Sequence, residues 1–184
     1  MLRHLQVSFL WLVWMMLFSC KQRQASIPEG FQIEKGFLLT KVASEPIVID
    51  PVDLEFDEHG RTFVMEMPGY PMEDKESRIK ILYDNNGDGL YDSSSVYAEN
   101  LRMANSMMPH KKGMLVAAPP YLLYLKDTNA DNKVDGVDTI MGGFSTGNLQ
   151  HNYNGLVYGL DNWIYAANGG NSGKPYWWGH QFSI

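Results

Sequence analysis

Ile81-Leu82-Tyr83-Asp84-Asn85-Asn86-Gly87-Asp88-Gly89-Leu90-Tyr91-Asp92 is followed, 43 residues on, by Tyr124-Leu125-Lys126-Asp127-Thr128-Asn129-Ala130-Asp131-Asn132-Lys133-Val134-Asp135. Both copies carry an apolar run of β type into an acidic loop, and both lead to a second short run, Ser95-Val96-Tyr97 and Thr139-Ile140-Met141. A fixed period of this size is the sequence signature of a repeat architecture.

A second register lies nearer the start of each unit. Leu54-Glu55-Phe56-Asp57-Glu58-His59-Gly60-Arg61-Thr62-Phe63-Val64 resembles Leu156-Val157-Tyr158-Gly159-Leu160-Asp161-Asn162-Trp163-Ile164-Tyr165, each reading strand, tight turn, strand. Further strands are predicted at 63–67, 79–83, 114–116, 121–125 and 163–166, with no long helical periodicity. The fold class is therefore all-β. Units fall at 52–101, 102–153 and from 154 to the end, and a unit of this length with about four strands is a propeller blade. The third unit is unfinished, so residues 31–184 are expected to be the N-terminal part of a larger ring. An open β-meander or a sandwich is the competing arrangement.

The 184 residues are 45% apolar and 12% aromatic, enough for a buried core. The net charge of -6 comes from interleaved acids and bases, with no basic stripe to neutralise phosphates, which argues against a nucleic-acid partner. The start differs from the rest: Arg3 and His4, then an apolar run from Val7 to Phe18, then Ser19 and Cys20. That run is shorter than the ~20 residues a membrane-spanning helix needs and reads as a signal peptide over 1–19. Cys20, the only cysteine, stands where a bacterial lipobox would place the lipidated residue, which rules out an internal disulfide or CxxCH haem site. The expectation is an exported lipoprotein on a short tether, 20–30, facing the periplasm or cell exterior.

Asp84, Asn86, Asp88 and Asp92 occupy positions 1, 3, 5 and 9 of a calcium-type loop, with Gly89 at the sharp turn. Asp127, Asn129, Asp131, Asp135 and Asp138 repeat the pattern with Asn132 in place of the glycine. Two readings stay open: a structural calcium site, or turn chemistry in which Asp and Asn side chains bond their own backbone.

Gly142 to Gly155 is a polar, glycine-rich stretch between two units, the kind of loop that meets a propeller's central channel. His151 within it is the candidate catalytic residue, since an imidazole titrates near working pH and can take a hydroxyl proton as general base. A hydrogen-bonded structural histidine is the alternative.

The run from Gln150-His151-Asn152-Tyr153-Asn154-Gly155 to Ala166-Ala167-Asn168-Gly169 resembles the segment of soluble pyrroloquinoline-quinone (PQQ) glucose and aldose dehydrogenases that carries their catalytic histidine. Val42-Ala43-Ser44-Glu45-Pro46, Asp50-Pro51, Glu66-Met67-Pro68-Gly69-Tyr70-Pro71, Arg78 to Leu82, both acidic loops and Thr146 to His151 together resemble the membrane-bound, sorbosone-dehydrogenase-like propellers of bacteria. The resemblance implies a six-bladed ring, oxidation of a sugar or polyol substrate by hydride transfer to PQQ with His151 as base, and a cytochrome c electron acceptor. It also implies that the quinone is held mainly by later blades, so this chain alone is expected to be inactive. A non-catalytic propeller that binds glycan or protein is the alternative function.

Overall fold

The computed structural model describes residues 30–73, 77–170 and 172–177. The signal peptide expected at 1–19, Cys20 and all of the expected tether but Gly30 lie outside these residues. The chain divides at Lys41/Val42 into two compact units. In the first, residues 30–41 contain no strand, and the Phe37 amide closes a turn on the Glu34 carbonyl at 3.2 Å.

The second unit is all-β, and no described residue lies in an α-helix. Four strands, β1 (Pro51–Phe56), β2 (Thr62–Glu66), β3 (Ser77–Tyr83) and β4 (Ser93–Leu101), form one antiparallel meander in chain order. The next four, β5 (Ser106–His110), β6 (Gly113–Ala118), β7 (Tyr121–Lys126) and β8 (Gly136–Gly142), repeat it. A third unit opens with the hairpin of β9 (Asn154–Tyr158) and β10 (Ile164–Ala167), and β11 (Tyr176–Trp177) adds to the outer edge of β8. The first strands lie side by side, β1 against β5 and β5 against β9, as the innermost strands of successive blades do. This is a partial, propeller-like arc with no closed barrel.

Strand alternation builds the core. Phe63 and Met65 on β2 and Ile79 and Ile81 on β3 point to one face of the first sheet, against Met107, Met114, Val116 and Leu125 of the second, and all eight are essentially buried. The second sheet turns Met108, Leu115, Ala117 and Leu122 to its other face, where Leu156 of β9 packs on them. Neither sheet covers itself; each interface uses both neighbours.

The 43-residue echo extends to individual hydrogen bonds. In the first loop the Gly89 amide donates to Asp84 Oδ2 at 2.8 Å and the Asp88 amide to Asn86 Oδ1 at 2.9 Å. In the second, the Asn132 amide donates to Asp127 Oδ2 at 2.9 Å and the Asp131 amide to Asn129 Oδ1 at 3.0 Å. Gly87 and Gly89 have positive φ, and so do their counterparts Ala130 (61°) and Asn132 (65°). The second loop thus takes the same left-handed turns without glycine, easily at Asn132 and at some cost at Ala130. Each loop also docks on an upstream segment: Val134 donates to the Tyr97 carbonyl of β4, and Tyr91 donates to the Val42 carbonyl. Val42 therefore stands to the first blade as β4 stands to the second.

Residues 43–49 strap the outer face of the first sheet. Val48, Ala43 and Ile47 pack on Val64 and Leu82. Beside them the fully buried Glu66 pairs with Arg78 at 2.5 Å and Lys80 at 2.9 Å, and accepts from the Ile49 amide at 2.8 Å. Lys80 also donates to the Ile47 carbonyl, so the strap and the ion cluster hold each other.

Candidate functional site

The starts of the inner strands converge on a cavity of about 760 Å³ lined by Asp50, Pro51, Val52, Asp53, Met67, Tyr70, Met103, Asn105, Ser106, Leu149, Asn152, Asn154 and Gly155. It sits where β1, β5 and β9 begin, at the position a propeller offers to ligands.

A repeated staple fixes its wall. Asp53 on β1 accepts from the Met107 amide of β5 at 2.7 Å, and Ser106 on β5 accepts from the Leu156 amide of β9 at 3.0 Å. Each acceptor comes from the residue before the one that is held in the next blade, so Asp53, Ser106 and Gly155 are equivalent positions. Gly155, with φ of 69°, has no side chain to continue the series. The second oxygen of Asp53 accepts from the Leu54 amide at 2.9 Å, which leaves the carboxylate rigid at the cavity edge. Asp50 sits beside it in a left-handed conformation, φ of 44°.

The electrostatics of this wall are acidic. Burial first, and the Asp53 charge second, raise Glu55 above the ordinary carboxyl value. Among the described residues no Lys, Arg or His lines the cavity. The Asn105 Oδ1, at the same wall, is a buried acceptor without a hydrogen-bond partner.

The polar stretch between the second and third units is pinned at both ends. Phe144 and Tyr153 stack with ring centroids 3.9 Å apart and are buried, and burial pushes the Tyr153 hydroxyl up to about 12. Gly143 must be glycine: its φ is 87°, and a Cβ there would lie 2.3 Å from the Lys174 carbonyl oxygen. Between these ends Asn148 caps a single 3-10 turn, Leu149–His151, by accepting from the Gln150 amide at 3.0 Å.

His151 closes that turn and is exposed. Its backbone lies against Gly169, and its Nδ1 faces Gly170, where a Cβ would come within 3.5 Å. The loop thus sends Leu149, Asn152 and Asn154 into the cavity lining while the His151 ring lies over the segment after β10.

Residues of the acidic loops lie elsewhere, between the third and fourth strands of each blade. Their carboxylates are engaged as acceptors: Asp84 takes the amides of Gly87, Asp88 and Gly89, and Asp92 takes the amide and side chain of Asn85. Those bonds, Gly89's foremost, hold Asp84 below the ordinary carboxylate value. Asp88 accepts from Leu90, Asp131 from Lys133, and Asp135 from Thr128. Asp138 pairs with Lys126 at 2.9 Å instead of turning toward its loop. Among the described residues no group of three or more His, Cys, Asp or Glu side chains is arranged to hold a metal ion.

Asp53, Asn105 and Ser106 carry no motif of their own. The second register, which aligns Leu54 with Leu156, places Asp53 and Gly155 at one point of the blade but does not reach Asn105 or Ser106.

The chain belongs to the family of the domain of unknown function DUF7133, whose model matches residues 23–182. No curated protein and no solved structure matches it.

Proposed function

We propose that this chain is the sugar- or polyol-binding arc of an extracytoplasmic, dehydrogenase-like propeller. The observation that carries the reading is the cavity at the starts of the inner strands, lined by Asp50, Asp53, Asn105, Asn152 and Asn154 together with Met67, Tyr70 and Met103. Acceptors and amides suit a ligand that presents many hydroxyls, and an aromatic side chain suits the C–H side of such a ligand. The likeness of the chain to sorbosone-dehydrogenase-like propellers points to the same substrate class, with PQQ as oxidant and a cytochrome c as electron acceptor.

The described wall does not fit that quinone. PQQ is a polycarboxylate, and a lining with two carboxylates and no cation would repel it. Oxidation would need groups outside this wall to hold the cofactor, and the base that the likeness to those dehydrogenases implies is His151, on the loop that feeds the cavity. The second reading, a propeller that binds glycan without turning it over, is favoured by one observation: the His151 ring faces Gly170 and does not line the cavity.

Dye reduction separates the two. In a full-length clone supplied with PQQ, calcium and a sugar or polyol, an enzyme reduces an artificial acceptor and His151→Ala abolishes the reduction. Ligand binding without any dye reduction would overturn the oxidoreductase reading and leave glycan binding.

A further inference from the structure

We infer that the axial cavity selects its ligand by charge, accepting an uncharged hydroxyl-rich molecule and excluding the same carbon chain when it carries a carboxylate or phosphate, with Asp50 as the determinant. This deepens the polyol reading and rests on it.

Among the described residues the cavity lining contains two carboxylates and no positive side chain. They are not alike. Asp53 is committed to the fold, since its two oxygens hold the Met107 and Leu54 amides. Asp50 forms no side-chain hydrogen bond or ion pair among the described residues and is exposed to the cavity. Its left-handed backbone, φ of 44°, fixes where the side chain emerges, at the turn that leads into β1, where Met67 donates its amide to the Asp50 carbonyl. An aspartate tolerates that conformation far better than most residues.

An anionic ligand in this cavity would share it with the Asp50 and Asp53 carboxylates, and Glu55 is next after Asp53 on the same face of β1. Burial first, and the Asp53 charge second, raise the Glu55 carboxyl on this strand. A hydroxyl, in contrast, can donate to the free lone pairs of Asp50. Repulsion of the wrong partner is the means of discrimination.

Titration calorimetry with three six-carbon chains tests this: sorbitol (neutral), gluconate (anionic) and glucamine (cationic). Sorbitol and glucamine are expected to bind, and gluconate at least tenfold more weakly than sorbitol at low salt. Asp50→Asn, which keeps the left-handed turn, should narrow the sorbitol-to-gluconate ratio to within about threefold, consistent with loss of one repulsive charge. Circular dichroism of the variant confirms its fold. Gluconate binding as tightly as sorbitol, or an unchanged ratio in a folded Asp50→Asn, overturns the charge selection while leaving the polyol reading intact. No binding by any of the three overturns both.

Discussion

Asp53 holds a backbone amide of the next blade, and its removal leaves that amide buried without a partner. Asp53→Ala is therefore expected to cost about 1–3 kcal/mol, whereas Asp53→Asn, which keeps an acceptor, should retain most of the stability. Chemical denaturation of the two variants checks this, and equal losses would show that the staple does not act through the hydrogen bond. Asp84 acts on a local scale, as acceptor for three amides of its own loop. Because its carboxyl is held below the ordinary 3.8, the stability it contributes is present above that value and is lost as pH falls through the folded-state value. Asp84→Ala should lower the melting temperature at neutral pH in metal-free buffer and flatten the acid limb of the stability curve. An EDTA-sensitive rise in melting temperature on adding calcium would identify a bound ion in these loops. At this scale the sequence showed the loop residues plainly, because Asp and Asn at alternating positions announce their own turns. It did not show the role of Asp53, which comes from a hydrogen bond with Met107, 54 residues further on.

Two devices tie elements together. Glu66 is fully buried between Arg78 and Lys80 and anchors the strap at Ile49. Removing it leaves two cations in a poorly solvated site, so Glu66→Ala should cost about 3–5 kcal/mol and loosen the strap, seen as faster amide exchange at Ile49. At the far ends of β5 and β9, His110 Nδ1 pairs with the Tyr158 hydroxyl, with the Tyr124 ring alongside. Burial first, and the Lys111 charge second, hold His110 below its ordinary 6.5. The neutral ring is thus favoured by the fold, and stability is full above 6.5 and declines as pH drops below it toward the folded-state value. Melting curves between pH 7.5 and 5 should show this decline, and His110→Asn should reduce it; an identical slope in the variant would refute the assignment. The sequence announced most strands through β-type apolar runs, but β5 was hidden. Its Ser106-Met107-Met108-Pro109-His110 run contains a proline, which a strand tolerates at a sheet edge, and β5 is such an edge.

Across the whole molecule, the two registers in the sequence were enough to read an all-β arc with repeated four-stranded units, because each copy of the pattern falls on the same strands of its blade. The compact β unit starts at Val42, later than the 31 expected from where β-type runs begin, since residues 30–41 form no strand. The polar segment from Gly142 to Gly155 was legible as a loop near the axis. Its geometry was not, because the Phe144–Tyr153 stack and the approach of Gly143 to Lys174 decide which side chains face inward. This inward face, at the starts of β1, β5 and β9, is the proposed polyol site, and amide and side-chain NMR shifts on addition of sorbitol test it. Saturable shifts centred on Asp50, Asp53, Asn105, Asn152 and Asn154 are expected. Shifts confined to the acidic loops at 84–92 and 127–135, or none at saturating ligand, would contradict it.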